Sequence, residues 1–564
     1  MIRSAIAVVL CAAAAMAQQQ PQPQPQPQPE STEIPKLTET MEIRVINVDV
    51  VVTDKKGNPV TGLKKEDFEL YENGVPKPIS NFFEVEGTKA VNVAMAPPAP
   101  DAKAPVPAVH EETPENMKRR IILYIDNLSL APFNRNRVFK EMKEFAKEAM
   151  RPGDEAMIAT FNRSMKIRQP FTKDPVAIQS MLDSIAGESA QGIANRSESR
   201  DVMKRIQDAD TVDDAIATAR TYSESVNHDL RNSIESLNAL MSTLAGVEGK
   251  KILVLTTEGF QMSPGKEMFY LIDEIGREKG WTGSNLLESM QYDQSQAIQG
   301  IAKTANANNI TMYTIHAGGL AAASEDLSAD QEKATPYIVS ETAVSNSTDS
   351  LRLMADMTGG LASVNTNNYA RAFKEIERDL DSYYSLGYRA GTERVDRQRN
   401  LDVRVNNKNY IVRARQTFVE KSMFAEMNDR VIANLLYKTK ANDLHILVKC
   451  GTPVPQDDLF KVPVEIQIPM DSLTLLPQGE SYMGGFSVYC AVANKEGDMS
   501  DVSRQSHQIR VPNSEYPHIK GKYYAYSLDM IMEPGPNRIS IGVIDEVSNT
   551  TGFDRVPINA ADLR

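Results

Sequence analysis

The sequence predicts an α/β protein. A central domain carries a mostly parallel sheet with helices on both faces, and a small N-terminal β-domain and a C-terminal β-sandwich flank it. Three observations carry this. First, residues 118–390 alternate short apolar runs (IILYI from Ile121, AMIATF from Ala156, KILVLT from Lys251, ITMYTI from Ile310) with amphipathic stretches, the pattern of strands buried on both faces. Second, MEIRVINVDVVVTD places Ile46, Val48, Val50 and Val52 on one face at period two, as in a half-buried strand. Third, residues 425–564 hold LHILVKC, VPVEIQIPM, GGFSVYCAVAN, SHQIRVP, YYAYSLDMIM and RISIGVIDE between Pro and Gly turns, the spacing of a sandwich.

In chain order, residues 1–17 read as a secretory signal peptide. Arg3 gives the positive start, Ala5 to Ala15 the apolar stretch, and Ala15-Met16-Ala17 a small-x-small cleavage site before Gln18. The apolar run is shorter than the about 20 residues a spanning helix needs. Residues 18–40 begin with alternating Pro and Gln, an extended linker. Residues 41–88 are the small β-domain, with a turn at Asp54–Pro59 and a hairpin signal at Asn73-Gly74. Residues 89–117 are a Pro/Ala-rich linker.

Within 118–390, Arg137 to Met150 predicts a helix, with Val138, Met142, Phe145, Ala146 and Met150 on one side. Asp174–Ile185, 197–246, 265–308, Ser350–Met357 and Tyr369–Tyr383 read as further helical segments. The stretch 186–246 is polar and rich in Asp, Glu, Arg and Ser. It reads as a solvated insertion, with covering the sheet edge or forming the contact surface as the other readings. In parallel sheets the loops at the carboxyl ends of strands form the binding edge, which places Asp126, Glu258 and His316 there. Residues 391–420 alternate as a β-hairpin extension whose Arg and Lys read as a solvated edge.

Composition narrows the function classes. The 564 residues predict three or four domains at roughly 100–200 residues each. A net charge of −13 disfavours a nucleic-acid binder, which needs a basic face against phosphates. No segment beyond the first 17 residues is apolar enough to span a membrane, so the expected location is the periplasm or the outside of the cell.

Several stretches together resemble the von Willebrand factor A-type fold, and more closely the secreted "VWFA-related" family of acidobacteria. They are IILYIDNLSLAPFNRNRVFKEMKEF, RPGDEAMIATFNRSMKIRQPFTKDP, ANANNITMYTIHAGGL, LRLMADMTGGLASVNTNN and DSYYSLGYRA, with VDVVVTDKKGNPVTGLKKEDFELYENG upstream and VRAR downstream. They cover about residues 41–416 in the family's order. The resemblance implies a Rossmann-like central domain. It also implies a Mg²⁺ or Mn²⁺ site built from Asp-x-Ser-x-Ser, a Thr from a later loop, and an Asp-Gly after the fourth strand. Here the first element reads Asp126-Asn127-Leu128-Ser129-Leu130, so Leu replaces both hydroxyls, and the later acid is Glu258. No Gly-Thr loop is assignable between them. Asp126, Ser129 and Glu258 remain as a degenerate metal site able to hold Mg²⁺ only in makeshift fashion. The favoured reading is no cofactor, with Asp126 bonding backbone amides.

No P-loop, Gly-x-Ser-x-Gly, His-Glu-x-x-His or Cys-x-x-Cys occurs. The six histidines lie far apart in sequence, and His316 is the one at the binding edge. A non-enzyme is expected. Cys450 and Cys490 fall on apolar faces of their strands. A disulfide between them closes a loop of about 40 residues, worth roughly 3–4 kcal/mol in the chain-entropy model; two separate buried thiols are the alternative. Three functions follow in order: a secreted, metal-independent, adhesion-like binder of a protein or envelope partner; a structural accessory docking through the C-terminal sandwich; and a hydrolase with an unrecognised site.

Overall fold

The structure is a computed structural model that describes residues 45–87, 89–92, 118–320, 337–389, 395–438 and 441–561. The signal peptide, the Pro/Gln-rich linker and most of the Pro/Ala-rich linker lie outside the described residues. The described residues divide into two compact units. One runs to Ser242 and from Glu248 to Glu420; the other comprises Thr243–Val247 and Lys421 onward.

The first unit opens with β1 (Val45–Thr53), β2 (Phe68–Glu72), β3 (Val75–Lys77), β4 (Ile79–Glu86) and β5 (Lys89–Asn92). Asn73 and Gly74 sit at φ 50° and 79° between β2 and β3, the left-handed pair that a two-residue hairpin turn demands. The central domain follows: β6 (Arg119–Asp126), α1 (Pro132–Ala149), β7 (Glu155–Phe161), β8 (Met165–Thr172), α2 (Pro175–Ala186), α3 (Gly192–Asp208), α4 (Val212–Thr243), β9 (Lys250–Thr257), α5 (Lys266–Lys279), α6 (Leu286–Ser289), α7 (Ser295–Ala307), β10 (Ile310–His316), α8 (Tyr337–Thr358), β11 (Ala362–Ser363) and α9 (Tyr369–Asp381). Edge strands β8 and β11 are additions to the sequence reading. β8 is half exposed with no clean alternation, and β11 has two residues, so neither leaves a periodic signal.

The central sheet runs β11-β10-β9-β6-β7-β8. All neighbours are parallel except β7 and β8. The chain starts in the middle at β6, builds outward to β8, then returns to β9 and builds the other way. This is the doubly wound order, and its switch point lies between β6 and β9. On one face Ile121, Leu123, Ile125, Ile252 and Val254 pack under Val138, Met142, Phe145, Leu182, Phe373 and Ile376 of α1, α2 and α9. On the other, α8 is tied to β10: Met312 N donates to Thr358 Oγ1 at 3.0 Å, and Thr314 Oγ1 to Leu351 O at 3.0 Å. Burying each large aliphatic side chain of this sheet stabilises the fold by about 1.5–3 kcal/mol.

After α9 come β12 (Ser382–Arg389), β13 (Gln398–Val405), β14 (Ile411–Ala414) and β15 (Thr417–Val419). These correct two sequence boundaries. The predicted hairpin extension 391–420 is not a hairpin: β13 pairs with β2 and β15, while β14 pairs with β1. The small β-domain is likewise not closed by residues 41–88. Its two sheets run β14-β1-β12-β4-β5 and β15-β13-β2-β3, and β12 falls inside the range assigned to the central domain. Val48, Val50, Val52, Phe68, Leu70 and Phe82 share one core with Tyr384, Leu386, Tyr388, Leu401 and Phe418. Neither segment alone has enough apolar surface for a stable domain.

Arg404 and Lys408 of the supposed solvated edge are exposed, but two of its cations are tied into the structure. Arg399 is 5% exposed and pairs with Glu72 and Glu420. Arg413 grips Asp379 with both guanidinium nitrogens, at 2.7 and 2.6 Å.

The second unit holds α10 (Met423–Tyr437) and then β16 (Leu447–Cys450), β17 (Val454–Gln456), β18 (Leu459–Pro469), β19 (Leu476–Gln478), β20 (Ser481–Asn494), β21 (Ser503–Pro512), β22 (Tyr523–Met532), β23 (Gly535–Asp545) and β24 (Thr551–Ala560). One sheet centres on β18, the other on β20 and β23. Helix α10 corrects the all-β expectation for this region. Ser422 caps it through Ala425 N at 3.2 Å. Met427, Val431 and Leu435 cover Tyr489, Ala491, Ala493, Ile544 and Phe553 on the outer face of the β20 sheet. The alternate residues of β20 (Phe486, Val488, Cys490 and Val492) point into the sandwich core.

Candidate functional site at the carboxyl edge of the central sheet

The parallel register brings the ends of β6, β9 and β10 into one row. Ile125 is level with Thr256, and Thr257 with His316. Asp126, Thr257 and His316 therefore meet at the switch point, where doubly wound sheets take their ligands.

Asp126 is 2% exposed. Its Oδ2 accepts from Ser129 Oγ and Thr257 Oγ1, both at 2.7 Å. The two hydroxyls lie 2.9 Å apart, and Ser129 Oγ also accepts from Glu258 N at 3.0 Å. Asp126 Oδ1 is buried with no hydrogen-bond partner. Burial pushes this carboxyl up from the usual range, against the pull of the Ser129 and Thr257 hydroxyls. Thr257, the last residue of β9, was not among the residues that the sequence reading named. Its signal was its place at a strand end, one residue before Glu258.

Glu258 is committed elsewhere. Oε1 accepts from Ala131 N at 3.0 Å, at the start of α1. Helix α1 has no side-chain cap of its own, so the carboxylate satisfies an orphan amide and lies at the positive end of the helix. Oε2 pairs with Arg196 of α3.

Helix α3 therefore covers this edge, the outcome the sequence left open for residues 186–246. Gln191 N donates to Asn127 O at 3.0 Å, Gly192 N to Leu130 O at 3.1 Å, and Asn195 Nδ2 to Leu128 O at 2.9 Å. A Cβ on residue 192 would stand 2.4 Å from Ser129 O and from the Leu130 carbonyl carbon, so this close approach requires glycine. The fully buried Arg135 locks the approach by donating to Asn127 Oδ1 at 3.2 Å and to the carbonyls of Ala186 and Glu188, each at 2.9 Å.

These residues do not fit a divalent cation. Leu128 and Leu130 turn into the protein, at 6% and 0% exposure. Glu258 has a guanidinium on one oxygen and an amide on the other. Ser129 is spent on Asp126, Thr257 and a backbone N–H. Among the described residues no group of three His, Cys, Asp or Glu side chains is placed to hold a metal ion.

His316 lies at the same edge, half-buried, with Nδ1 buried and without a hydrogen-bond partner. Burial first, and then the charge of Arg196, push it down to about 4. It is neutral at pH 7, and among the described residues no acid and no nucleophile is hydrogen-bonded to it.

Beside it Tyr369 donates to Ala317 O at 2.7 Å. Arg137 of α1 lies over the Tyr369 ring at 5.5 Å and the Phe133 ring at 5.8 Å. Arg137, Arg196 and Tyr369 joined the site unannounced, because only the tertiary fold brings them there.

The cysteines lie in the second unit. Cys450 sits on β16 and Cys490 on β20, both against the sandwich core, and both are free. Burial raises both thiols, Cys490 to about 12, so they behave as small apolar side chains.

No protein-family model and no curated protein matches this chain. Solved structures give distant likenesses. An aerotolerance-related membrane protein from Bacteroides fragilis is 11% identical over 47% of this chain and 98% of that one, with a TM-score of 0.24. A von Willebrand factor type A protein from Catenulispora acidiphila is 9% identical over 87% of this chain and 73% of that one, at 0.22. A mutant of the PilB minor pilin from Streptococcus sanguinis is 12% identical over 61% and 81%, at 0.26. No argument rests on scores this low. Among the described residues no helix is long and apolar enough to cross a membrane.

Proposed function

We propose that this is an exported, non-catalytic recognition protein. Its central domain is of the von Willebrand A type, and the carboxyl edge of the sheet binds a protein partner without a metal ion. The observation that carries this reading is how the edge spends its groups. Asp126 and Glu258 are bonded within the protein, while Phe133, Ile193 and Leu320 on the same edge are 74%, 60% and 54% exposed. A hydrolytic site needs a base in contact with a nucleophile, whereas a recognition surface needs exposed apolar anchors on rigid elements.

The test is capture from a cell-envelope extract by the immobilised full chain, with and without EDTA. Capture that persists in EDTA and is lost in the Ile193→Asp, Leu320→Asp double variant is the expected result. EDTA-sensitive capture would overturn the metal-independent reading. Capture indifferent to the double variant would move the binding surface to the C-terminal unit. Turnover in a substrate screen that His316→Ala abolishes would overturn the non-catalytic reading.

A further inference from the structure

Arg137 has an unusual position among the cations near this edge. Arg196 is paired with Glu258, Arg168 with Glu188, and Arg371 with Glu375. Arg137 makes no ion pair among the described residues. Glu141 lies one helical turn further along α1, in ion-pair spacing, yet the guanidinium turns the other way. It lies toward the start of the helix, over the rings of Phe133 and Tyr369 at 5.8 and 5.5 Å. Long side chains on helices lean in that direction, and the two π-faces hold the planar group in place. Tyr369 is nearly fully buried and bonded to Ala317 O, so one wall of the slot is fixed. Phe133 is 74% exposed.

Exposed apolar side chains stand on the same edge. Leu320 N donates to Asn367 Oδ1 at 3.3 Å, and a Cβ on Gly319 would meet both that oxygen and the Tyr369 hydroxyl. Leu320 is therefore seated next to Tyr369. Ile193 follows the glycine that packs against Ser129 and Leu130. Single exposed apolar residues are ordinary; three of them on the edge that holds a pre-oriented cation with no acid among the described residues are not. The chain carries a net charge of −13, so a cation left open on this edge marks where negative charge is accepted rather than repelled.

We propose that Arg137 is a specificity determinant that receives a carboxylate from an acidic segment of a protein partner, with an apolar side chain of the same segment lying against Phe133, Leu320 or Ile193. This rests on reading the carboxyl edge as the recognition surface. A planar guanidinium takes a carboxylate bidentately, and Arg beside an aromatic ring is the composition of interface hot spots. A sulfated or phosphorylated polyanion suits the site less well. It needs a track of several cations, and here the second guanidinium, Arg196, is already paired with Glu258.

The experiment pans a displayed library of random 12-residue peptides on the immobilised full chain, then measures the selected peptides in solution. Enrichment of Asp or Glu within two positions of a large apolar residue is expected. Replacing that acid with its amide should weaken binding about tenfold or more. Arg137→Gln should weaken it equally, and combining the two should add little. Arg137→Lys should recover part of the loss, and thermal scans of both variants establish that they fold. Peptides blocked by Ile193→Asp but indifferent to their own acid and to Arg137→Gln would sink the carboxylate inference and leave the edge reading standing. Peptides indifferent to every edge variant, or no enrichment at all, would sink both. Competition by heparin stronger than by the acidic peptide would overturn the proposal in favour of a polyanion.

Discussion

At the amino-terminal end of the central sheet Arg119 bonds Asp154 and Asp381, Arg413 bonds Asp379, and Lys250 lies 3.5 Å from Asp49. At the carboxyl end, among the described residues, Asp126 has no cation against it, Glu258 has one, and Arg137 has no acid. The same side-chain types serve both ends. At the base they are closed into pairs, those of Arg119 within the central domain and those of Arg413 and Lys250 between it and the sandwich formed by β1–β5 with β12–β15. Lys250 also lies 3.2 Å from the centre of the Tyr383 ring, just past α9. At the top, charge and apolar surface are left for something outside the chain. The base therefore sets rigidity and the top sets recognition, and substitutions at the two ends should separate stability from binding.

The largest effect belongs to the base. Asp379 is 4% exposed and accepts from both nitrogens of Arg413 and from Tyr313 Oη at 3.0 Å. Asp379→Ala leaves a buried guanidinium without its counter-charge, which costs about 3–5 kcal/mol. The urea midpoint should fall accordingly, with peptide affinity at the carboxyl edge unchanged in the folded fraction. A loss below about 1 kcal/mol would mean that the base is not the rigid end.

Next comes a group on the helical face behind the site. Glu267 sits in the first turn of α5, 2% exposed, with Oε2 lacking a partner. Burial pushes it up to about 7, against smaller opposing effects from its own backbone N–H, Gln261 and Asn346; its charge also acts on the buried Tyr222. The folded state keeps a proton that the unfolded state releases near 4.5. The contribution is thus complete below about pH 4.5 and is lost as pH rises through about 7. Between those limits the loss is about 3 kcal/mol. Glu267→Gln should flatten that part of the stability profile, measured by urea unfolding at pH 5 and pH 8. An identical slope in the variant would remove Glu267 as its cause.

These cases mark what a sequence can and cannot disclose here. Strands β6, β7, β9 and β10 of the central sheet were legible because each is a short apolar run, and the edge position of Asp126, Glu258 and His316 followed from where those runs stop. The two-segment sandwich was not, since nothing local in VINVDVVVT or NLDVRV tells either strand its partner. Helix α10 was legible in principle: Ser422 and the spacing of Met427, Val431 and Leu435 announce it, but the many β runs beyond it set the expectation. Arg196, Thr257 and Arg137 depend on contacts between distant segments, which periodicity does not encode. The Leu128 and Leu130 departures were visible at once, and the structure adds where their side chains go.

The smallest effect tests whether Arg196 or those leucines keep a divalent cation from the edge. The Arg196 side chain is 41% exposed and its partner Glu258 is 7% exposed, so the pair is half open to solvent. Arg196→Ala should cost about 1 kcal/mol or less, a small shift in thermal midpoint. It also frees one Glu258 oxygen at the edge that holds the unpartnered Asp126 Oδ1. If Arg196 alone excluded the ion, millimolar Mg²⁺ would raise the midpoint of the variant. The expected result is no change, because a hard cation takes about six oxygens and Leu128 and Leu130 supply none. A rise in the Arg196→Ala variant that is absent from the unmodified protein would show the guanidinium standing where a metal otherwise binds. The leucines would then be secondary, and the contrast between the two ends would narrow to a single ion pair.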